Sequence, residues 1–147
     1  MKIAFGSDHG GFELKEILKK YAEEMGHTIT DFGTHVEESV DYPVFAIPVA
    51  EAVAKNEYDR GVVVCGTGIG ASIAANKVKG IRCALTHDLF SAEATRAHNN
   101  SNVLALGGRV VKEDLAKEIL KVWLETEFEG GRHLNRINLI KEYEEKQ

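Results

Sequence analysis

The sequence is short of cysteine, has no long apolar run and lacks an excess of basic charge, and each shortage removes a class of protein. Two cysteines in 147 residues, Cys65 and Cys83, are too few for a disulfide scaffold. Both fall in strand-like runs, as expected of a chain kept in a reducing, cytoplasmic compartment. Apolar runs such as Val62 to Cys65 are far too short to span a bilayer, and no basic, apolar and small-residue succession opens the chain, so no membrane partner and no secretory signal are expected. A formal charge of −5 argues against a nucleic-acid partner, because phosphate backbones recruit clustered Lys and Arg. Metal-ligand spacing is missing too: His27, His35 and His87 follow no recurring pattern, HExxH and CxxC do not occur, and no metal is predicted.

What remains is the balance of a globular chain, 44% hydrophobic and 28% charged, of a length that fits one domain over residues 1–147. Runs rich in β-branched residues alternate with amphipathic stretches, the pattern of βαβ units around a parallel sheet. Five strands are predicted, Lys2 to Phe5, Thr28 to Asp31, Gly61 to Cys65, Arg82 to Leu85 and Val103 to Ala105. Apolar spacing predicts helices through Leu14, Ile17, Leu18 and Tyr21, through Val49, Ala50 and Val53, and over Ala71 to Val78 and Phe90 to Ala97. Two more follow the last strand, one marked by Leu115, Ile119, Leu120 and Trp123, the other by Ile137, Ile140 and Tyr143. The expected fold class is therefore α/β, a three-layer Rossmann-like fold with a five-stranded parallel sheet flanked by helices. The last helix, about 133–145, follows the completed sheet and is expected to reach toward a partner subunit.

Parallel sheets bind ligands at the carboxyl ends of their strands. The turns there carry GSDHGG at 6–11, CGTGIG at 65–70, THD at 86–88 and GGR at 107–109. In CGTGIG, glycines at 66, 68 and 70 let amide groups approach an anion, and the helix that follows, starting near Ile69 or Gly70, adds a favourable dipole. Such a loop suits a phosphate or a developing enolate oxygen. A Walker loop would need a Lys that is absent, and a cysteine phosphatase an Arg that is absent. A dinucleotide fingerprint fits better, since Gly66, Gly68 and Ala71 match G-x-G-x-x-A with Asp88 beyond, but the motif lies on the third strand of a chain too short for a separate substrate domain.

Cys65 closes the third strand, where a helix N-terminus favours the thiolate; the alternative is a small buried hydrophobe, the role expected of Cys83. Asp8 and His9 face the same sheet edge and can bind sugar hydroxyls or, for His9, phosphate, unless Ser7 or Asp8 only caps the first helix. His98 is a candidate acid and base near neutral pH with Asn99 beside it, or both serve as helix C-caps. Arg132 and Arg136, one helical turn apart, can clasp a phosphate or simply be solvated, and Arg109 is better placed to reach the shared pocket.

Taken in order, KIAFGSDHGG, DFGTH, ESVDYP, CGTGIG, SIAANKV, GIR, RAHNN, NVLALGGRVV and EGGRHLNR run across nearly the whole chain. In these spaced motifs the sequence resembles the B-type ribose-5-phosphate isomerases of the wider ribose and galactose phosphate isomerase family. The resemblance implies an aldose–ketose isomerase of the pentose phosphate pathway that needs no cofactor. Cys65 would move the proton between C2 and C1, Gly66, Thr67, Gly68, Ile69 and Gly70 would cradle the enediolate oxygen, and Thr67 would assist proton movement at the sugar oxygens. His98, aided by Tyr42, would open the furanose ring. Asp8, His9 and Asn99 would bind substrate, and Arg109, Arg132 and Arg136 its phosphate. The family works as dimers or tetramers with composite sites, so the last two arginines would serve the neighbouring subunit. Allose 6-phosphate and galactose 6-phosphate are the alternative substrates, and a noncatalytic nucleotide-binding module is the alternative of another class.

Overall fold

Runs of β-branched and small apolar residues form five strands, β1 (Lys2–Ser7), β2 (Thr28–Asp31), β3 (Arg60–Cys65), β4 (Cys83–Leu85) and β5 (Val103–Gly107). All adjacent pairs are parallel, in the order β2-β1-β3-β5-β4. The helices are α1 (Phe12–Glu24), α2 (Pro43–Ala54), α3 (Ile69–Asn76), α4 (Leu89–Asn99), α5 (Glu113–Glu125) and α6 (Arg132–Glu145). This computed structural model describes residues 1–147, and no helix is long and apolar enough to cross a membrane.

The expected α/β architecture is present, with small shifts at element ends. β1 and β5 run two residues further than expected, to Ser7 and Gly107, so more of each glycine-rich turn is held by the sheet. The proline of ESVDYP starts α2, because Pro43 sits in the first turn, where its missing N–H costs nothing. α3 begins at Ile69, at the start expected from the glycine turn and two residues ahead of the Ala71 that apolar spacing gave. α6 begins at Arg132, buries His133 and Ile137, and packs against α4 with the His133 ring on His98.

Side-chain alternation along the central strands builds two cores. Val62 and Val64 point with Phe5, Leu104 and Leu106 toward α1 and α5, where Trp123 is fully buried. Val63 and Cys65 point with Ala4 and Ala105 toward α2 and α3. Cys65 thus belongs to the layer that α3 covers, directly before the turn that starts that helix. The chain leaves β1 for β2 on one side and β3 on the other, so the order reverses between β1 and β3 and opens a crevice at their carboxyl ends.

One buried cation supports the crevice from behind. Lys15 of α1 is fully buried, and its Nζ donates to both Asp31 carboxylate oxygens, at 2.7 and 2.9 Å, and to the Thr34 carbonyl at 2.6 Å. Lys19 donates to the same carboxylate at 2.6 Å. Burial opposes ionisation of Asp31, but the lysine bonds and the Gly33 amide outweigh it and hold the carboxyl below its ordinary value. The network ties α1, the end of β2 and the segment leading toward Tyr42 into one unit.

Candidate active site

Three turns meet at the crevice, and backbone bonds lock them together. The Asp8 amide donates to the Val64 carbonyl at 3.2 Å, Gly108 N–H to the Cys65 carbonyl at 2.8 Å and Arg109 N–H to the Gly66 carbonyl at 2.9 Å. The β1, β3 and β5 turns are therefore one surface. Asp8 is buried and its carboxylate accepts the Gly11 N–H at 3.1 Å. That bond orders the turn before α1, while the N-cap residue itself is Gly11. The His9 Nδ1 accepts the Val40 N–H at 3.1 Å, which fixes the ring and leaves Nε2 free.

Cys65 is buried at the centre of this surface. Its Sγ accepts the Gly68 N–H at 3.2 Å, and α3 starts at the next residue. Both the amide and the helix N-terminus present their positive ends toward the sulfur. Gly68 takes φ +79°, a left-handed conformation that suits glycine and turns the chain back over the thiol. Beyond it, the amides of Gly70 and Ala71 in the first turn of α3 have no acceptor in the chain, whereas Ile69 N–H is held by Thr67 Oγ1 at 3.2 Å. These two amides are free to meet an oxyanion.

Two side chains roof the loop at its glycines. A Cβ on Gly70 would lie 2.5 Å from the Tyr42 ring, and one on Gly66 would lie 2.8 Å from an Arg109 guanidinium nitrogen. Tyr42 and Arg109 therefore reach the Cys65 loop only because those positions lack a side chain. Arg109 and His9 also line a groove of about 720 Å³ that runs from the crevice along α1. Cys83, by contrast, is desolvated, its thiol pushed up to about 12 by burial. Its backbone pairs with Asn76 on both sides. The two cysteines thus divide as a thiol served by an amide and one that only packs.

The remaining candidates do not join this pocket within the chain. His98 and Asn99 end α4, which runs antiparallel to the strands, so they lie at the amino-terminal end of β5. Cys65 pairs in register with Gly107 and Gly61 with Val103. The four steps between those levels span about 13 Å at a rise of about 3.3 Å each, and the end of α4 lies toward the far level. The His133 ring stacks on His98, with ring centroids 4.4 Å apart, so Arg132 belongs to this second group, with Arg136 one turn along α6. Neither His98 nor Asn99 caps α4. The C-cap is Asn100, at φ +47°, and Arg82 and Arg96 bind the free carbonyls there. Sequence reasoning also passed over Glu129 and His133, which flank the glycines of EGGRHLNR beside His98; the signal followed in that motif was the i, i+4 spacing of its two arginines.

Comparison with known proteins agrees with this architecture. A family model described as Ribose/Galactose Isomerase matches residues 3–140. The chain is 48% identical to ribose-5-phosphate isomerase B of Escherichia coli K12, covering 99% of this chain and 97% of the relative. It is 43% identical to a D-erythrulose-4-phosphate isomerase of Pectobacterium atrosepticum, covering 98% and 95%. The structure of Clostridium thermocellum ribose-5-phosphate isomerase B superposes with a TM-score of 0.98 at 54% identity, covering 99% of both chains.

Proposed function

The chain belongs to the ribose/galactose isomerase family, and from that premise we propose that it interconverts D-ribose 5-phosphate and D-ribulose 5-phosphate through a cis-enediolate, with Cys65 as the base. The observation that carries this reading is the Cys65 sulfur held by the Gly68 amide beside the unpaired amides of Gly70 and Ala71. A sugar's C2 proton leaves only when the adjacent carbonyl oxygen can accept charge, so a base and an oxyanion cradle must face one carbon.

In this mechanism the Cys65 thiolate takes the C2 proton of the open-chain aldose while the C1 oxygen takes up the negative charge against the loop amides. A proton passes from O2 to O1, assisted by Thr67, and the thiol returns its proton to C1 to give the ketose. Asp8 and His9 bind the sugar, Tyr42 closes the loop side, and Arg109 holds the phosphate. The enzyme acts as a homodimer or a larger homo-oligomer, in which His98, Asn99, Arg132 and Arg136 of one copy complete the crevice of another. The separation of His98 from Cys65 along the sheet supports this, because ring opening and proton abstraction act on neighbouring carbons of one small sugar. The exposed apolar residues Leu134, Leu139, Ile140 and Tyr143 on α6 suit contact with the second copy.

A second reading, a four-carbon sugar phosphate as substrate, is favoured by the D-erythrulose-4-phosphate isomerase among the relatives. Allose 6-phosphate and galactose 6-phosphate remain the six-carbon alternatives. Assays of the purified enzyme on ribose 5-phosphate, erythrulose 4-phosphate, allose 6-phosphate and galactose 6-phosphate decide among them. The proposal expects the highest kcat/KM for ribose 5-phosphate, and a clearly higher value for any other substrate would refute it.

A further inference from the structure

Beside the second group of residues stands a cluster with its own chemistry. The Glu129 amide donates to the Ala97 carbonyl at 3.0 Å, which ties the turn before α6 to the end of α4. Gly130 and Gly131 follow at φ +69° and +56°, and this left-handed pair turns the chain so that His133 comes back toward Glu129. One carboxylate and two imidazoles, from the end of α4 and from the turn and start of α6, are brought together: ligand atoms of His98, Glu129 and His133 all lie within 4.8 Å of one another. The Glu129 Oε1 is 3.5 Å from His133 Nε2 and 4.0 Å from His98 Nε2.

We infer that His98, Glu129 and His133 bind a divalent first-row transition ion, Zn2+ foremost, and that its binding inhibits the isomerase. Two imidazoles and a carboxylate form a donor set suited to Zn2+, with water in the fourth position, whereas Mg2+ and Ca2+ favour all-oxygen sets. Bonds of about 2.0–2.1 Å in a tetrahedron place neighbouring ligand atoms about 3.4 Å apart. The Glu129–His133 edge, at 3.5 Å, already has that length, and the Glu129–His98 edge, at 4.0 Å, must shorten by about half an ångström. The two imidazoles lie stacked, 15° from parallel, so the half-exposed His98 ring must tilt for its lone pair to converge with that of His133. His133 is buried and supplies the fixed ligand. The Glu129 carboxylate offsets half the ion's charge, and the neighbouring Arg132 opposes binding.

The inhibitory half of this inference rests on the proposed role of His98: an imidazole whose Nε2 is held by a metal cannot exchange protons with a furanose. The test begins with protein stripped by a chelator and titrated with Co2+ in phosphate-free buffer, followed by Zn2+ displacement and calorimetry. The expected result is one ion per chain and a visible Co2+ spectrum of low-symmetry coordination. His133→Ala and Glu129→Gln should weaken binding at least about tenfold, since loss of even an indirect partner costs a metal site that much; Cys65→Ser should leave it unchanged. Zn2+ should inhibit isomerisation over the same concentration range, with recovery on adding EDTA. Glu129→Gln should keep its metal-free activity and escape the inhibition.

Absence of Co2+ and Zn2+ binding at matched micromolar concentrations would overturn the site, as would binding that survives both ligand substitutions but is lost in Cys65→Ser. Binding that depends on Glu129 and His133 while activity stays constant would overturn the inhibition. Failure of the proposed function reads differently, because metal-free protein would then be inactive on ribose 5-phosphate while the Co2+ titration still reported on the cluster.

Discussion

Pairing two inactive variants in one dimer tests whether the crevice of each copy is completed by the other. The first chain carries Cys65→Ser, which removes the base at the carboxyl end of β3. The second carries His98→Asn with Arg132→Ala, which damages the group toward the far end of the sheet, a strand span of about 13 Å along β5. Each homodimer has two damaged sites and should be nearly inactive. In the heterodimer one site collects both lesions, while the other combines the intact Cys65 of the second chain with the intact His98 and Arg132 of the first. Heterodimer purified by two different affinity tags should then recover about half of the wild-type activity per dimer, the fraction set by two-fold symmetry. Assay on ribose 5-phosphate after removal of homodimers reads this directly. Activity no higher than that of the two parent homodimers would refute the composite arrangement, since a site built from one chain gains nothing from the pairing.

Other predictions follow from single contacts. Gly70→Ala drives a Cβ to 2.5 Å from the Tyr42 ring, so kcat/KM should fall about tenfold or more while thermal unfolding barely moves; unchanged kinetics would count against Tyr42 closing the loop. Asp31→Asn leaves the buried Lys15 without its carboxylate and should destabilise the fold by about 3–5 kcal/mol in urea titration. Asp31 also sets an acid limit. Its folded-state value is depressed, so its contribution is present above the unfolded carboxylate value of about 4 and is lost as the pH falls through and below it. Stability of the wild type should therefore decline faster below about pH 4 than that of Asp31→Asn. Cys83, with its thiol near 12, should remain unlabelled by iodoacetamide at about pH 8, where only about one thiol in ten thousand would be ionised.

Much of the scaffold was legible because it rests on local patterns. The run GVVVC announces a strand buried on both faces, and the glycines of CGTGIG announce the turn that exposes a helix N-terminus. Apolar spacing marked the second helix only from Val49, whereas Pro43 starts it. Lys15 was not legible, since a lysine between Leu14 and Leu18 reads as the edge of a solvated face. Only the tertiary approach of Asp31 and the Thr34 carbonyl makes its burial tolerable.

The site was legible by chemistry and less so by place. Asp8, His9, Cys65 and Arg109 are gathered because the order β2-β1-β3-β5-β4 brings three turns together, Tyr42 reaches the same loop at Gly70, and strand order is a long-range property. His98 and Asn99 carried a chemical signal without a place: each α-helix returns the chain to the opposite edge of a parallel sheet, and the end of α4 lies there. The C-cap passed to Asn100, which takes the left-handed conformation that ends the helix, and the Arg82 and Arg96 guanidinium groups bind the carbonyls on either side. Glu129 and His133 stand four residues apart, but His98 comes much earlier in the sequence and meets them only through the packing of α6 on α4, so no local spacing announces the three together.

The role of Cys65 as the base is tested most directly by Cys65→Ser, assayed for turnover of ribose 5-phosphate and for exchange of the C2 proton with deuterated water. Turnover and exchange should both fall by about 10²–10⁴, the usual contribution of a positioned base, with substrate affinity and unfolding temperature near those of the wild type. Near-normal turnover, or exchange that persists at the wild-type rate, would contradict the assignment.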